Sequence, residues 1–280
     1  MAVSQNYAAA HLAQIDERFA LDALTASVVN NGGIRLDFNG RNTVTIYTVD
    51  VVSETDYVRS GSNRFGNLVE LGTGTQTFVL SQDKAFTFTV DRGNLEDSMM
   101  VQEANKAVKR QIREVSIPAV DVYRLAAAHA AALALSQGAT AAVTSSNAYT
   151  KFLAQNDAMT EAMVPETGRH CFMTPATYSL LKQDTTFMRS CDTTVANLKA
   201  GIIGNVDGVT LHKVPSAYLP SNEVYLFIWD QVLIAPSKFD SVRVLTDVQG
   251  IDGAVAEGRR YYDCFIPNNK AAGIRYHLSA

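Results

Sequence analysis

The stretch Thr43-Val-Thr-Ile-Tyr-Thr-Val-Asp-Val-Val-Ser53 and the later stretch at residues 76–91 decide the fold. β-branched residues dominate the first stretch, and aromatic residues alternate with threonine in the second, so both are predicted to be strands. They enclose residues 54–75, which are polar and rich in glycine. A loop of this length is unusual in a compact domain and is often functional. Because a lone hairpin is only marginally stable in water, we expect this extended β-loop to lie on another surface.

Residues 1–30 predict an arm rather than a domain. Leu12, Ile15 and Phe19 recur near helical spacing. The run Asn-Asn-Gly-Gly at residues 30–33 ends any helix. The segment is short and has no core partner of its own, so we expect it to pack against another surface.

A long helical region follows the β-loop. Asn94 is a plausible N-cap. Five apolar residues then fall on one helix face: Val101, Ala104, Val108, Ile112 and Val115. Pro118 suits the first turn of a second helix, which ends at Gly138.

The rest of the chain mixes short helices and strands, which predicts an α+β fold. Residues 142–235 contain predicted helices at 148–159 and 176–182, and predicted strands at 171–173, 209–214 and 224–229. Three more strands are predicted to close the chain, at 241–248, 259–266 and 271–277.

Composition and charge exclude several classes of protein. The 280 residues are 47% hydrophobic, which is typical of a chain that buries a core, and the net charge is −4. No basic stripe is visible, so the chain is not expected to bind a phosphate backbone tightly. The apolar run at residues 125–135 is too short to span a membrane. The N-terminus has no basic leader followed by an apolar stretch, so no signal peptide is expected.

No motif in the chain predicts catalysis, a cofactor or a metal. The segment Gly72-Thr-Gly-Thr75 lacks the lysine of a phosphate-binding loop, and the glycines at 201, 204 and 208 have the wrong spacing for a dinucleotide loop. The five histidines are scattered. The cysteines form no CxxC pair and are expected to be reduced, mostly buried thiols: Cys171, Cys191 and Cys264.

Arginine and lysine are distributed unevenly. Residues 1–83 contain five arginines and no lysine. Arginine makes bidentate contacts with carboxylates and suits interfaces, whereas lysine prefers solvent. We therefore expect the arm and the β-loop to be contact surfaces between chains.

The order of these elements resembles the Hong Kong 97-type coat-protein fold of tailed bacteriophages. The resemblance covers nearly the whole chain and is carried by seven segments. They are Leu36–Gly40 with Thr43-Val44, Asp56-Tyr57 with Arg59, Phe86–Asp91 leading to Glu96-Asp97, Ile117–Asp121, Val164-Pro165 with Gly168-Arg169 and Pro175, Gly204–Gly208, and Tyr261–Phe265. In the fourth segment Ala119 replaces the acid that is usual in the family.

The resemblance implies four parts of the chain. These are an N-terminal arm at 1–40, an extended β-loop at 41–92, a peripheral domain at 93–141 and 236–280 that contains a long spine helix, and an axial domain at 142–235. No long N-terminal delta domain is visible, which implies either a separate scaffolding protein or none.

The resemblance also implies a function. A protein of this kind is the major capsid protein, a non-enzymatic structural protein that self-assembles into pentamers and hexamers of an icosahedral head. The implied partners are copies of the chain, a portal, and scaffolding or decoration proteins. The shell would enclose double-stranded DNA without sequence-specific binding, without a cofactor and without a membrane. Assembly is expected in the host bacterial cytoplasm, followed by procapsid maturation, and the mature location is the virion capsid.

Specific residues follow from these expectations as intersubunit contacts. They are Arg18, Arg41, Arg59, Arg64, Phe65, Glu70, Lys84 and Asp252. Some relatives join a loop lysine covalently to an asparagine on another chain. The corresponding residues here would be Lys84, the only lysine in the loop, with Asn268 or Asn269.

Two alternatives remain open from the sequence. An encapsulin-type nanocompartment shell protein resembles the same fold without being viral. A soluble α+β enzyme with an unrecognised site is the other alternative, and the absence of any clustered acid, base or nucleophile argues against it.

Overall fold

A computed structural model describes residues 24–29, 37–39, 43–91, 103–184, 204–246, 248–250 and 252–280. The chain divides into two compact units, one formed by residues 32–81 and the other by residues 1–31 with 82–280. Several features predicted from the sequence lie outside the described residues, among them the N-cap at Asn94, the first turn of the helix near Val101, and Cys191.

The smaller unit is a three-stranded antiparallel sheet with a long loop. Its strands are β1 (Asp37–Asn39), β2 (Thr43–Val49) and β3 (Thr73–Val79), in the order β1-β2-β3. Thr43 lies opposite Val79 and Val49 opposite Thr73, so β2 and β3 form the two sides of a hairpin. Residues 50–72, between these strands, contain no helix or strand. The predicted extended β-loop therefore has two strands at its base and a long irregular segment at its end.

The larger unit contains a long helical segment. It consists of α1 (Glu103–Gln111), a π-helical turn (Ile112–Ser116) and α2 (Ile117–Ala134). The Ile117 N–H bonds to the Ile112 carbonyl, which is the i→i+5 bond of a π-turn. The predicted second helix with Pro118 in its first turn is therefore confirmed as α2, and the π-turn joins it to α1 without a break. The proline lies in the first turn of α2, where it removes no interior hydrogen bond. We call residues 103–134 the spine helix.

The larger unit contains two sheets. The six-stranded sheet has the order β5-β12-β9-β6-β8-β7, and the three-stranded sheet has the order β10-β11-β4. The strands are β4 (Gln82–Asp91), β5 (Gly138–Thr140), β6 (Arg169–Met173), β7 (Asn205–Val206), β8 (Val209–Lys213), β9 (Glu223–Trp229), β10 (Ser237–Leu245), β11 (Gly253–Tyr262) and β12 (Ile274–Leu278). The described part of this unit also contains two shorter α-helices, α3 (Ala148–Glu161) and α4 (Pro175–Gln183).

The core of the larger unit has three clusters. In the first, α2 packs on the six-stranded sheet through residues such as Leu125 and Phe172. The second lies under α3 and contains Phe152 and Phe227. In the third, the spine helix packs on the three-stranded sheet, with Ile112 as one of its buried residues.

The predicted strand at residues 76–91 is two strands. β3 pairs with β2 in the smaller unit, and β4 pairs with β11 over its whole length. A change of pairing partner requires a break in the strand, which falls at residues 80–81. Two of the three closing strands begin earlier than predicted, because β10 and β11 pair from Ser237 and Gly253, and the third, β12, begins later, at Ile274.

Candidate intersubunit surface

The loop at residues 50–72 exposes many apolar side chains. Val51 is 94% exposed, Phe65 is 84% exposed, and Leu68 is fully exposed. Five more apolar residues of the loop are more than half exposed: Val52, Tyr57, Val58, Val69 and Leu71. Exposed apolar side chains are common singly, but a group of this size on one loop is typical of a surface that contacts a partner.

The loop has internal hydrogen bonds that hold its shape. The Asp50 N–H donates to the Gly72 carbonyl at 3.0 Å, which closes the base of the loop. Nearer its end, the Val58 N–H donates to the Arg64 carbonyl at 3.0 Å, and the ring of Tyr57 packs edge-on against that of Phe65 at 5.0 Å. A loop that is already held by such contacts loses less conformational entropy on binding than a loop without them.

A glycine allows the sharp turn near the end of the loop. Gly66 has φ +81°, a backbone conformation that favours glycine, and a Cβ atom there would lie 2.7 Å from the Thr55 hydroxyl oxygen. That hydroxyl instead donates to the Phe65 carbonyl at 3.1 Å. Gly66 therefore has a geometric role in the shape of this loop.

The candidate contact residues lie in several places. Arg59, Arg64, Phe65 and Glu70 are all on the loop at residues 50–72 and are all exposed. The Arg64 Nε donates to the Gly61 carbonyl at 3.2 Å, which orients the guanidinium. Apolar loop residues such as Val51 and Leu68 were missed by sequence reasoning, because an apolar residue is ordinarily assigned to a core.

The other candidates are on the larger unit or outside the described residues. Lys84 is exposed on β4, opposite Arg260 of β11, and Asp252 is exposed just before β11. Asn268 and Asn269 are exposed in a short 3₁₀ helix, Asn268–Gly273. Arg18 and Arg41 lie outside the described residues.

The described cysteines are poor nucleophiles. Cys171 and Cys264 are buried and free. Burial raises the pKa of Cys264 to about 12 and raises that of Cys171 well above its ordinary value. Because the thiolate is the reactive form, neither thiol is suited to attack a substrate at neutral pH.

Two histidine side chains lie next to each other on paired strands of the six-stranded sheet. His170 Nδ1 lies 2.9 Å from His212 Nε2 on the neighbouring strand, so one hydrogen atom is shared between the rings. Burial lowers the pKa of His212 to about 4, which keeps the pair neutral. Within the described ranges, no three His, Cys, Asp or Glu side chains come close enough to hold a metal ion.

A buried acid lies between the spine helix and the six-stranded sheet. The Glu223 side chain has no exposed surface, and its Oε2 lies 2.6 Å from His129 Nδ1. Burial raises the pKa of Glu223 to about 8 and lowers that of His129, because a single charge on either group is poorly solvated there. At neutral pH Glu223 is therefore largely protonated and His129 is neutral.

Glu223 should make the protein less stable as the pH rises from about 5 to about 8. Its folded-state pKa lies above the unfolded value of about 4.3, so its contribution to stability is full below that value and is lost as the pH rises through 8. We expect this contribution to lower the urea midpoints of the parent chain between about pH 5 and about pH 8 and to level off above that range. The Glu223→Gln variant, which cannot ionise, should lose much less over that range. Equal losses in the two proteins would contradict this assignment.

No helix in the described part of the chain is long and apolar enough to cross a membrane.

Solved structures with the same architecture are phage capsids and a related particle. The head structure of the Helicobacter pylori bacteriophage KHP40 matches with a TM-score of 0.66 and 9% identity, over 92% of this chain and 90% of that chain. Mycobacterium phage Che8 matches with a TM-score of 0.58 and 18% identity, over 85% and 84%. A virus-like particle from Pyrococcus furiosus matches with a TM-score of 0.55 and 9% identity, over 99% and 100%.

These likenesses establish the fold. The chain has the Hong Kong 97-type fold of phage capsid proteins, and the predicted α+β class is confirmed. No family model matches the sequence, and no curated protein matches it.

Proposed function

We propose that the chain is a coat protein that self-assembles into the shell of a phage head. The observation that carries this proposal is the loop at residues 50–72, which is hydrogen-bonded internally and still exposes Val51, Phe65 and Leu68. A monomeric protein has little use for such a loop, whereas a shell subunit must contact several neighbours. The fold shared with phage capsids also supports the proposal that the chain is a coat protein.

The finer features of the proposal follow from the resemblance. The subunits form pentamers and hexamers around double-stranded DNA, with the axial domain (142–235) at the centre of each. The peripheral domain comprises 93–141 and 236–280, and the extended loop, about 41–92, lies over the neighbouring subunit. A net charge of −4 suits a container, because its wall should not bind the packed genome strongly.

The proposed contact residues are charged and aromatic groups of the arm, the loop and the peripheral domain. They are Arg18, Arg41, Arg59, Arg64, Phe65, Glu70, Lys84 and Asp252. Each contact can be weak, because a closed lattice engages several neighbours and the contacts act together. Weak contacts also let errors dissociate during assembly. Portal, scaffolding and decoration proteins are the proposed partners, and the virion capsid is the proposed location.

Electron microscopy of the expressed chain tests the proposal directly. The chain is produced alone, separated by size-exclusion chromatography and imaged by negative stain. We expect closed shells or capsomer-sized rings. If the chain stays a monomer or dimer both alone and when co-expressed with the scaffolding gene from its neighbourhood, the proposal fails.

A covalent link between Lys84 and Asn268 or Asn269 of another chain remains a prediction. All three side chains are exposed, which the reaction requires. Denaturing gels of mature particles provide the test. Linked particles should give a ladder of multimers that disappears in a Lys84→Arg variant, whereas a lone band at 30.4 kDa rules the link out.

A second candidate function is a non-viral shell. The virus-like particle from Pyrococcus furiosus matches 99% of this chain and the whole of its own chain, so this fold at this size also occurs outside the phage structures. An encapsulin-type nanocompartment would enclose a cargo enzyme rather than a genome. Nuclease-protected DNA in purified particles would favour the phage head, and a co-purifying enzyme would favour the compartment.

A further inference from the structure

The spine helix carries an apolar stripe that lies outside the three core clusters. Val115, Ala119, Val122 and Ala126 follow the i, i+4, i+7, i+11 spacing of a helix-packing seam. Val115 is about half exposed, and Ala119 and Ala126 are also exposed. The small alanine side chains allow another helix to approach closely. The stripe therefore has the form of a contact surface rather than of a solvated helix face.

This stripe forms one wall of a groove of about 500 Å³. The other wall is the three-stranded sheet, with Phe86 and Gly258 among its lining residues. A Cβ atom at position 258 would lie 2.2 Å from the Phe86 ring, so the glycine lets that ring lie flat along the groove. The groove is thus both apolar and wide enough to receive side chains from another segment.

The rim of the groove carries a positive charge. Arg259 pairs with Asp83, and Arg260 pairs with Asp240. Lys84, which also lines the groove, adds a further positive charge to these balanced pairs. An occupant with apolar residues at helical spacing and a negative net charge would complement the groove.

The N-terminal segment of the chain has this chemistry. Leu12, Ile15 and Phe19 are at i, i+3 and i+7. Residues 1–23 contain three acids and one arginine: Asp16, Glu17, Asp22 and Arg18. Both the apolar spacing and the sign of the charge match the groove.

The root of this segment is fixed on the same helix. Asp121 of α2 is buried, and its carboxylate accepts hydrogen bonds from the Leu24 N–H at 2.9 Å and the Thr25 N–H at 3.3 Å. The Thr25 hydroxyl also donates to this carboxylate, at 2.6 Å. Val28 is fully buried in the first core cluster, and Val29 forms a parallel bridge with Leu233. Leu24, the residue to which this segment is joined, is therefore fixed on the spine helix.

The reach from this root to the groove is short. The stripe is on the side of α2 away from Asp121, so the chain must pass halfway round a helix of about 10 Å diameter. That path is about 16 Å, or about five extended residues. Phe19 is five positions before Leu24, so the chain between them can span this path. Phe19 can therefore enter the groove, with Ile15 and Leu12 following along it.

We propose that residues 1–23 dock in the groove of their own chain, with the side bearing Leu12, Ile15 and Phe19 against the stripe from Val115 to Ala126. Attachment at Leu24 gives the segment a high effective concentration at the groove, which a second copy lacks before assembly. Docking covers the apolar surface of the free subunit. The inference goes beyond the proposed function, because it concerns the single chain, and particle formation is read separately by microscopy.

Crosslinking at low protein concentration tests the docking. The full chain carries Ile15→Cys and Ala119→Cys in a Cys191→Ser background, and a short bismaleimide is added. The control pair combines Ile15→Cys with Ser241→Cys, because Ser241 is exposed on the opposite face of the three-stranded sheet. We expect the first pair to give a product of monomer mass, with residue 15 joined to residue 119 by peptide mapping, and the control to give much less.

Two outcomes would overturn the proposal. A product of dimer mass joining the same residues would show that a second copy fills the groove. Equal crosslinking in the test and control pairs would show that the segment does not dock.

A labelling rate provides an independent measurement. The variant for this measurement carries Ala119→Cys as its only added cysteine. If the segment is docked for about nine-tenths of the time, the thiol at position 119 should react with a maleimide about tenfold more slowly than when it is uncovered. Adding Ile15→Ser and Phe19→Ser should restore the fast rate without changing the circular dichroism of the folded chain. A rate that these changes leave unaltered would contradict the proposal.

Discussion

Replacing Leu68 with aspartate should abolish shell formation and leave the subunit folded. Leu68 is fully exposed within its own chain, so its replacement removes no intrachain packing. In an assembled shell the same side chain would be buried against a neighbour, where an unpaired carboxylate costs several kcal/mol. A loss of about 3 kcal/mol per subunit raises the concentration needed for assembly by more than about a hundredfold.

Controls separate the loss of apolar contact from the added charge. Ser62→Asp places the same charge on the same exposed loop without removing an apolar group, and we expect a much smaller effect. Leu68→Asn removes the apolar contact without adding charge, and it should still impair assembly strongly. Light scattering measures assembly, and the thermal midpoint reports on folding. Normal shells from Leu68→Asp at ordinary concentration would refute the role of this loop.

Arg64 tests the charged part of the same surface. Its guanidinium is exposed and is oriented by the bond to the Gly61 carbonyl. If it pairs with a carboxylate on an adjacent chain, Arg64→Glu should block assembly, whereas Arg64→Lys should keep part of it because the charge is retained. Both variants should fold normally. Normal shells from the Arg64→Glu variant would count against this contact.

The regular parts of this fold are visible in the sequence because they follow simple periods. β-branched residues over 43–49 predict β2, and the apolar period through Val108 and Ile112 predicts the spine helix. The break between β3 and β4 was missed, because neither Leu80 nor Ser81 is a strand-breaking residue. It arises from a change of pairing partner, and partners far apart in the chain leave no local signal.

The candidate surface was predictable only in part. The length and glycine content of residues 54–75 indicate a functional loop, and Arg64 and Phe65 could be chosen from it. The exposure of Leu68 depends on how the loop turns, so it could not be read from residue type. Asp121 looked like part of a helix start, and its bonds to Leu24 and Thr25 join residues almost a hundred positions apart.

Arg169 has a structural role that could not be predicted from the sequence. Arginine is rarely buried, yet Arg169 is only 1% exposed. Its Nε donates to the Pro165 carbonyl at 2.9 Å, and its Nη2 donates to the Val164 carbonyl at 2.5 Å. Its Nη1 donates to the Asn156 side chain at 2.6 Å and to the Thr160 hydroxyl at 3.0 Å. One guanidinium thus bonds to α3 and to the turn after it.

Asn156 connects the buried guanidinium of Arg169 to the carboxylate of Asp207 by hydrogen bonds. The Asn156 side-chain amide donates to the Asp207 carboxylate at 2.8 Å and to the Asp207 carbonyl at 3.2 Å. The two bonds link α3 to the turn between β7 and β8. Burial lowers the pKa of Arg169, and the charges of Glu166 and Asp207 oppose that shift. Because these groups are connected, loss of the guanidinium should affect both turns.

Replacing Arg169 with methionine should cost about 3–5 kcal/mol of unfolding free energy. Methionine fills much of the same space but leaves the Val164 and Pro165 carbonyls without their donor. A loss of this size is a large fraction of the about 5–15 kcal/mol that holds a typical domain folded. Arg169→Lys should cost less, because an ammonium retains the charge but cannot reach all four groups at once.

Arg275→Met is the matched control for this experiment. The Arg275 Nε donates to the side chain of Gln155, which lies on α3, at 3.2 Å. Because Arg275 is only partly buried, we expect its replacement to lower the free energy of unfolding by less than about 1 kcal/mol. Denaturant unfolding measures both variants, and hydrogen exchange should show the turns after α3 and after β7 opening first in Arg169→Met. If the two methionine variants were equally stable, the guanidinium would not be what joins these turns.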